Sequence, residues 1–486
     1  MRALAWLLLL GLTASLPAWA GGLRVEVVTN DFVMPAKIVA VDALMAPEGV
    51  RVEHRLVGGG RALPDGWPAG VDLVIVDSPR PSDAEQVMAA IKPALLRGQT
   101  PWVKVGAGPS ASAGLDTGHA RRVASYYANG GAYNFRALAE WLRRWSAQDP
   151  AFDTAPTPRV LPAVGYYAGP GQPAYGSRLE LENAWEQAGQ AAWPRVAVLI
   201  AANSVSSMQT QVVDALITEG RRKKVSLFGV WYDQALDDGL RNAVASINVS
   251  AVVNLTHLQN GAALPQEFAG LDVPVIQGLN YRQGNSEQWR KATSGVPMSQ
   301  MATFVALPET WGTSDPTVVS ATDNGSLQPI PEQVQALVDK LVRIGKLRTV
   351  PAASKHLALL FWNSPDGEKN LSASHLNVAR SVASLLPKLQ AAGYTVEPAG
   401  EKAIVEGAQA LLGGYYRPET LENLLARDLA VALPLERYQR WLATLPPIRL
   451  AGLNSRWGDP ARSPFGRTVK GKKSFVLPRL RLGNLL

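Results

Sequence analysis

Histidine, the side chain that most often ligates metal or moves protons near neutral pH, occurs five times: His54, His119, His257, His356 and His375. None of them stands in H-E-x-x-H or another metal-ligand spacing. Each is therefore read as structural or solvated. His257 and His375 are the better candidates, since each sits where a strand or loop meets a helix. The chain has no cysteine, which excludes disulfides, thiolate metal sites, iron–sulfur clusters and a cysteine nucleophile. No G-x-S-x-G elbow is present. Gly466-Arg-Thr-Val-Lys-Gly471-Lys472-Lys473 approaches a phosphate-binding loop, but Lys473 replaces the hydroxyl residue that would hold magnesium. The following Ser474-Phe-Val-Leu-Pro478 is a poor helix start, so nucleotide binding is not expected there. Gly106, Gly108 and Gly114 follow a strand without completing G-x-G-x-x-G. No catalytic residue and no metal ligand follows from these types and spacings.

The elements that would position such residues alternate between the two hydrophobic periods. Leu23–Val28 and Arg51–Val57 read as strands, and Asp72-Leu-Val-Ile-Val-Asp77 reads as a buried strand with an acid at each end. Val33–Met45 and Tyr133–Trp145 read as helices, as does Ser82–Leu96 with a capping box from Ser82 and Glu85. Trp102–Gly106 closes this unit. A second begins at Arg195–Ile200, with a helix from about Gln209 to a capping Gly220. Its strands are expected at Val225–Val230, Ala251–Leu255 and Val273–Gln277. A helix near Pro331–Ile344 leads to a third unit, with strands at His356–Trp362 and Tyr394–Glu397 around a helix at Ser374–Ala392. Strand–helix alternation implies parallel sheets covered on both faces. The fold class is therefore α/β: successive doubly wound units with mostly parallel sheets, then a short β-rich basic stretch.

The expected organisation is a signal peptide over 1–20, a first α/β domain over 21–150 and a Pro/Gly-rich connection over 151–194. A second α/β domain follows over 195–350, a third unit over 351–455, and the start of a further, truncated domain over 456–486. Met1-Arg2, the apolar run through Leu16 and Pro17-Ala-Trp-Ala20 form the positive, apolar and small-residue regions of a secretory signal, cleaved near Ala20. The run is shorter than the roughly 20 residues a bilayer needs, and no later stretch qualifies as a span. A periplasmic protein that is not integral to the membrane is expected. The net charge of +8 is local. Between Arg449 and Arg481 nine basic residues face Asp459 alone, and nine minus one equals the whole chain's excess. With only Trp457, Phe465 and Phe475 interleaved, a nucleic-acid surface is not expected. Phe475–Leu486 is expected to be an unpaired apolar edge that makes this chain self-associate.

Longer strings carry a family resemblance. Tyr126-Tyr-Ala-Asn129-Gly130-Gly131-Ala-Tyr-Asn134, Leu161-Pro162-Ala-Val-Gly165-Tyr166-Tyr167 and Leu307-Pro308-Glu309-Thr-Trp-Gly312 come first. They are followed by Trp362-Asn363-Ser-Pro365-Asp-Gly367-Glu-Lys-Asn370, His375-Leu-Asn377, Gly393-Tyr394 and Arg456-Trp457-Gly458-Asp-Pro460. In that order they resemble the N-terminal portion of the CobN / magnesium-chelatase H-subunit family, with Trp362 where the family often has histidine. The resemblance implies a large subunit that moves a divalent metal (cobalt, magnesium or iron) into or out of a tetrapyrrole, as in cobalamin biosynthesis, alongside separate ATPase subunits. It implies that the catalytic part lies beyond this chain and that the fragment binds no cofactor. It implies as partners the tetrapyrrole macrocycle and other chelatase or membrane transport subunits. Trp362, Asn363, Asn370 and His375 are the implied substrate contacts. The alternative is a periplasmic tetrapyrrole- or metal-binding module without catalysis.

Overall fold

A computed structural model describes residues 22–31, 33–293, 295–323, 325–361, 363–445 and 447–486. The expected signal peptide and Trp362 lie outside the described residues. The described residues form two compact units, one up to Gly345 and one from Lys346 to Leu486.

The first sheet of the first unit has β1 (Leu23–Thr29), β2 (Val50–Leu56), β3 (Leu73–Ser78), β4 (Trp102–Gly106) and β5 (Ala111–Ala113) in the order β2-β1-β3-β4-β5. All pairs are parallel except β4 with β5. Helix α1 (Pro35–Met45) crosses from β1 to β2, and α2 (Pro81–Arg97) from β3 to β4. α3 (Thr117–Asn129) and α4 (Gly131–Ser146) pack with α1 on one face, around Tyr126, Phe135 and Trp141. Val87, Ile91 and Leu95 of α2 pack on the other face against Val28, Val74 and Val76. Covering both faces alters the reading of β1. The polar Glu26 of its alternating pattern is not in solvent but 1% exposed. It is ion-paired to Arg55 and accepts a hydrogen bond from Trp67 Nε1 at 3.0 Å. Pairing of this kind is what a buried carboxylate requires. The capping expectation for α2 is corrected as well. Pro81 takes the first turn, where its missing N–H is harmless, so Arg80 is the N-cap and Ser82 makes no cap bond.

Residues 161–187, expected within a connection, carry β6 (Gly165–Tyr167), β7 (Ala174–Tyr175) and α5 (Arg178–Gln187). The remaining strands of this unit are β8 (Arg195–Leu199), β9 (Ser226–Trp231), β10 (Val249–Asn254), β11 (Val275–Tyr281), β12 (Thr313–Asp323) and β13 (Ser326–Pro329). The second sheet runs β13-β12-β11-β10-β8-β9-β6-β7, with β12 through β9 parallel in that order. A short helix α6 (Ala202–Ser206) follows β8, and α7 (Gln211–Arg222) leads to β9. Gly220 lies inside α7 rather than capping it. A Cβ there would lie 2.6 Å from Leu227 Cδ1, so the glycine serves close helix–sheet packing. Val198, Leu216, Ile276 and Leu337 are among the buried residues of one face, and Trp185, Phe228 and Leu240 of the other.

The second unit is less regular than expected. No strand forms over 356–361 or 394–397; Leu357 makes an isolated bridge with Leu485. The helix expected at Ser374–Ala392 spans Val378–Ala391, capped by Asn377, whose side chain accepts from Arg380 N at 2.9 Å. A three-stranded antiparallel sheet joins β14 (Ala430–Pro434), β15 (Gly466–Val469) and β16 (Lys472–Pro478) in the order β14-β16-β15. Two stretches singled out in the sequence take their place here, and for the second the expectation changes. The phosphate-loop lookalike is a hairpin, turning at Lys470 (φ 50°) and Gly471 (φ 75°) as a tight two-residue turn demands. The strand expected at an open edge is the central strand, because its partner β14 lies far upstream. Leu485 is 4% exposed.

Candidate functional site

The carboxyl ends of β1, β3 and β4 meet the segment after β8 at a cleft of about 400 Å³ in the first unit. Its charged wall is built from α1 and the end of β3. Lys37 Nζ lies 2.7 Å from Asp77 Oδ2, with both side chains nearly buried. Tyr127 of α3 donates its hydroxyl to the same oxygen at 2.9 Å, and the Lys37 ammonium sits 4.3 Å from the Tyr127 ring centre. The opposite wall is polar and uncharged, from Asn203 to Gln209. Among the described residues Gln209 Oε1 is buried without a hydrogen-bond partner, as is Ser78 Oγ at the end of β3. An unpaired buried acceptor in a cleft wall is a place for a ligand's N–H or O–H.

Local sequence explains how the walls are held. At the end of β4, Gly106 has φ 99°, and a Cβ there would lie 2.3 Å from Ser78 O. Gly130, with φ 53°, would place a Cβ 1.9 Å from Ser206 O, so the turn between α3 and α4 abuts the segment after β8. Asn129 Oδ1 accepts from Leu161 N at 2.7 Å. Asn134 brackets Arg159, accepting from its N–H at 2.9 Å and donating to its carbonyl at 2.9 Å. The aromatic–Gly-Gly–Asn string thus pins the proline-rich connection to the first sheet's helices. Gly165 leaves room for Trp231, whose Nε1 donates to Pro162 O at 2.8 Å.

Burial, and after it the Asp77 carboxylate, holds the Tyr127 phenol well above its ordinary value of 10.0. A folded-state value above the unfolded one means that folding stabilises the neutral phenol. This contribution is complete below the ordinary value of 10.0 and is lost progressively as pH rises from there through the higher folded-state value. Burial raises Tyr167 and Tyr232 in the same direction. The thermal midpoint is therefore expected to fall above about pH 10, with a shallower fall in Tyr127→Phe. Parallel curves for the two proteins would remove Tyr127 from this account.

The residues expected to contact substrate belong to the second unit, whereas this cleft is built from the first alone. Asn363 donates to Gly367 O at 3.1 Å and accepts from Ser372 N at 3.3 Å, and Asn370 donates to Asp366 O at 3.1 Å. Both amides serve the loop's own backbone. His375 is exposed, with φ 71°. Of the other histidines, His54 shares a 2.6 Å hydrogen bond with Thr29 Oγ1, and burial lowers its pKa against the raising effect of Asp77. His119 packs on Trp141 and Phe152. Among the described residues no three His, Asp or Glu side chains converge on a point that could hold a metal ion. No described helix is long and apolar enough to cross a membrane. Lys37 and Tyr127 do not stand out in the sequence. The available signal is Asp77, the acid at the carboxyl end of a buried parallel strand.

Open parallel sheets take ligands outside their carboxyl ends, where strand order reverses. β1, flanked by β2 and β3, and β8, flanked by β9 and β10, are such reversals, and the cleft lies beyond both. Fold and site define a doubly wound α/β protein with a crevice between two sheets. The chain belongs to the CobN/Magnesium Chelatase family, which matches residues 124–486.

Among curated relatives, the chloroplastic magnesium-chelatase subunit ChlH of Oryza sativa subsp. indica is 31% identical over 170 residues, 34% of this chain and 12% of that protein. The magnesium-chelatase H-subunit of Rhodobacter capsulatus is 23% identical over 318 residues, 60% of this chain and 26% of that one. The chain therefore spans about a quarter or less of these relatives' length. The catalytic subunit of cobaltochelatase from Mycobacterium tuberculosis superposes with a TM-score of 0.68 at 20% identity, over 95% of this chain and 38% of that one. That likeness establishes a shared fold. Lys37 and Asp77 precede the family match, and Tyr127 falls within it.

Proposed function

We propose that this chain is the N-terminal portion of an exported large subunit that moves a divalent metal into or out of a tetrapyrrole. The observation that carries the reading is the family match over residues 124–486. The positive start, apolar run and Ala-x-Ala end of residues 1–20 support export. An exported protein lies outside the cytoplasmic ATP pool, so the reaction favoured is metal removal, or capture and hand-off to a membrane transport partner. Removal exchanges the metal for two protons and is assisted by low pH. The expected result is that the full-length protein binds a metallated tetrapyrrole without ATP. Strictly ATP-dependent insertion by the same protein would overturn the reading. A reporter fused after Gly21 tests export separately, and its retention in the cytoplasm would restore an ATP-coupled, biosynthetic role.

One observation favours a second reading, a binding module without catalysis: the cleft holding Lys37, Asp77 and Gln209 is the kind of crevice that binding proteins use. Ser206→Trp, which fills the cleft, tests this reading. Loss of tetrapyrrole binding in that variant places the macrocycle in the cleft, and unchanged binding excludes the cleft as the macrocycle site and with it this reading.

A further inference from the structure

In the second unit an open groove of about 560 Å³ is lined by Tyr438, Trp457, Phe465 and Phe475. Tyr438 and Phe475 meet edge to face, with ring centres 5.1 Å apart. Trp457 ends the helix Pro447–Trp457 and is 75% exposed, and no described side chain of that helix is buried. Arg462 also lines the groove, and the Arg456 guanidinium lies 5.4 Å from the Trp457 ring. A second cavity of about 260 Å³ shares Pro460 and Phe475 with the groove and reaches Arg467 and Lys473.

The charge here is unbalanced. Between Arg449 and Arg481, the ion pairs among the described residues are Arg467 with Glu422 and Arg479 with Asp428. Arg456, Arg462, Lys470, Lys472 and Lys473 have no carboxylate partner among the described residues. The groove's own acid, Asp459, accepts from Ala461 N at 2.9 Å as the cap of a short turn. Exposed rings favour a flat apolar face. Unpaired cations beside them favour anionic groups at that face's edge. One ligand class satisfies both.

We propose that this groove binds a planar aromatic polyanion: the carboxylate-edged macrocycle of the function proposed above, on which this identification rests. The rings of Trp457 and Tyr438 stack on the macrocycle face. Arg462 and Lys473 take the edge carboxylates.

The test is fluorescence titration of the purified chain with uroporphyrin, an octacarboxylate. The expected result is quenching of tryptophan emission with saturable binding, weakened about tenfold or more in Trp457→Ala and in Arg462→Glu/Lys473→Glu. These side chains are exposed or lie at the groove's rim, and an unchanged thermal midpoint verifies that the variants fold. A tetracationic porphyrin is expected to bind at least tenfold more weakly than uroporphyrin. Tight uroporphyrin binding that the variants leave unchanged overturns the groove assignment while leaving the family function standing. No uroporphyrin binding by the unaltered chain overturns the groove assignment, and the full-length protein's binding of a metallated tetrapyrrole decides the proposed function separately. Equal competition by inositol hexakisphosphate, a polyanion without an aromatic face, reduces the site to a charge patch and overturns the proposal. Binding to anionic phospholipid vesicles that uroporphyrin does not displace makes it a membrane-contact surface and overturns it equally.

Discussion

Replacing Gly130 by alanine is expected to destabilise the first unit by roughly 3–5 kcal/mol, about 1–3 from a backbone conformation suited to glycine and the rest from overpacking. Gly130 combines φ 53° with ψ −154°, and its added Cβ would lie 1.9 Å from Ser206 O and 2.7 Å from Ser206 C. Both obstacles are backbone, so no side-chain rotation relieves the clash. The turn between α3 and α4 must instead move away from the segment after β8. Gly131 is the control. Its φ is 74°, yet no atom of the described residues lies within 4 Å of the position its Cβ would take, so Gly131→Ala is expected to cost about 1 kcal/mol. Urea unfolding of the two variants measures both. Equal losses would show that the approach to Ser206 is not what requires glycine.

Asp77→Ala is expected to cost about 3 kcal/mol, the lower end of the range for removing one partner of a buried ion pair, since Lys37 keeps some solvent contact. A single carboxylate oxygen serves both the Lys37 ammonium and the Tyr127 hydroxyl, so the substitution leaves two polar groups unpaired at once. Lys37→Met added to Asp77→Ala removes the unpaired charge and is expected to recover a large part of the loss. A double-mutant cycle by urea unfolding reads the coupling. A loss below about 1 kcal/mol for Asp77→Ala would mean that water replaces the carboxylate without penalty and that the pair is not structural.

The parallel strands are legible in the sequence because both-face burial leaves continuous apolar runs such as Leu73–Val76, and because helices alternate with them. Asp77 is visible at the end of such a run. Its partners are not, since Lys37 and Tyr127 lie 40 and 50 residues away along the chain. The string Tyr126–Asn134 can be recognised in the sequence, but not explained there. Its glycine answers a backbone contact with Ser206, and its asparagines answer the N–H and carbonyl groups of residues 159 and 161. The second unit is the least legible. There Leu357 finds its bridge partner at Leu485, and β16 finds β14 across β15 and two intervening α-helices. Antiparallel pairing over such distances leaves little local periodicity to read. Along the chain the aromatic residues around Trp457 are too sparse to suggest nucleic acid. Their grouping with Phe475 and Tyr438 emerges only when β16 and the helix Leu435–Leu442 are folded.

The clamp that Asn129 and Asn134 place on the proline-rich connection has a kinetic consequence. Clefts that close on a ligand do so by turning about a slack joint, and the closing step then limits capture at high ligand concentration. Here the joint is tied by three hydrogen bonds to residues 159 and 161, and Gly130 rests against Ser206. A molecule entering beside Lys37 and Asp77 meets walls already in place. Stopped-flow traces should fit one exponential whose rate climbs in proportion to ligand concentration and does not level off, so that residence time alone sets how tightly the cleft holds its occupant.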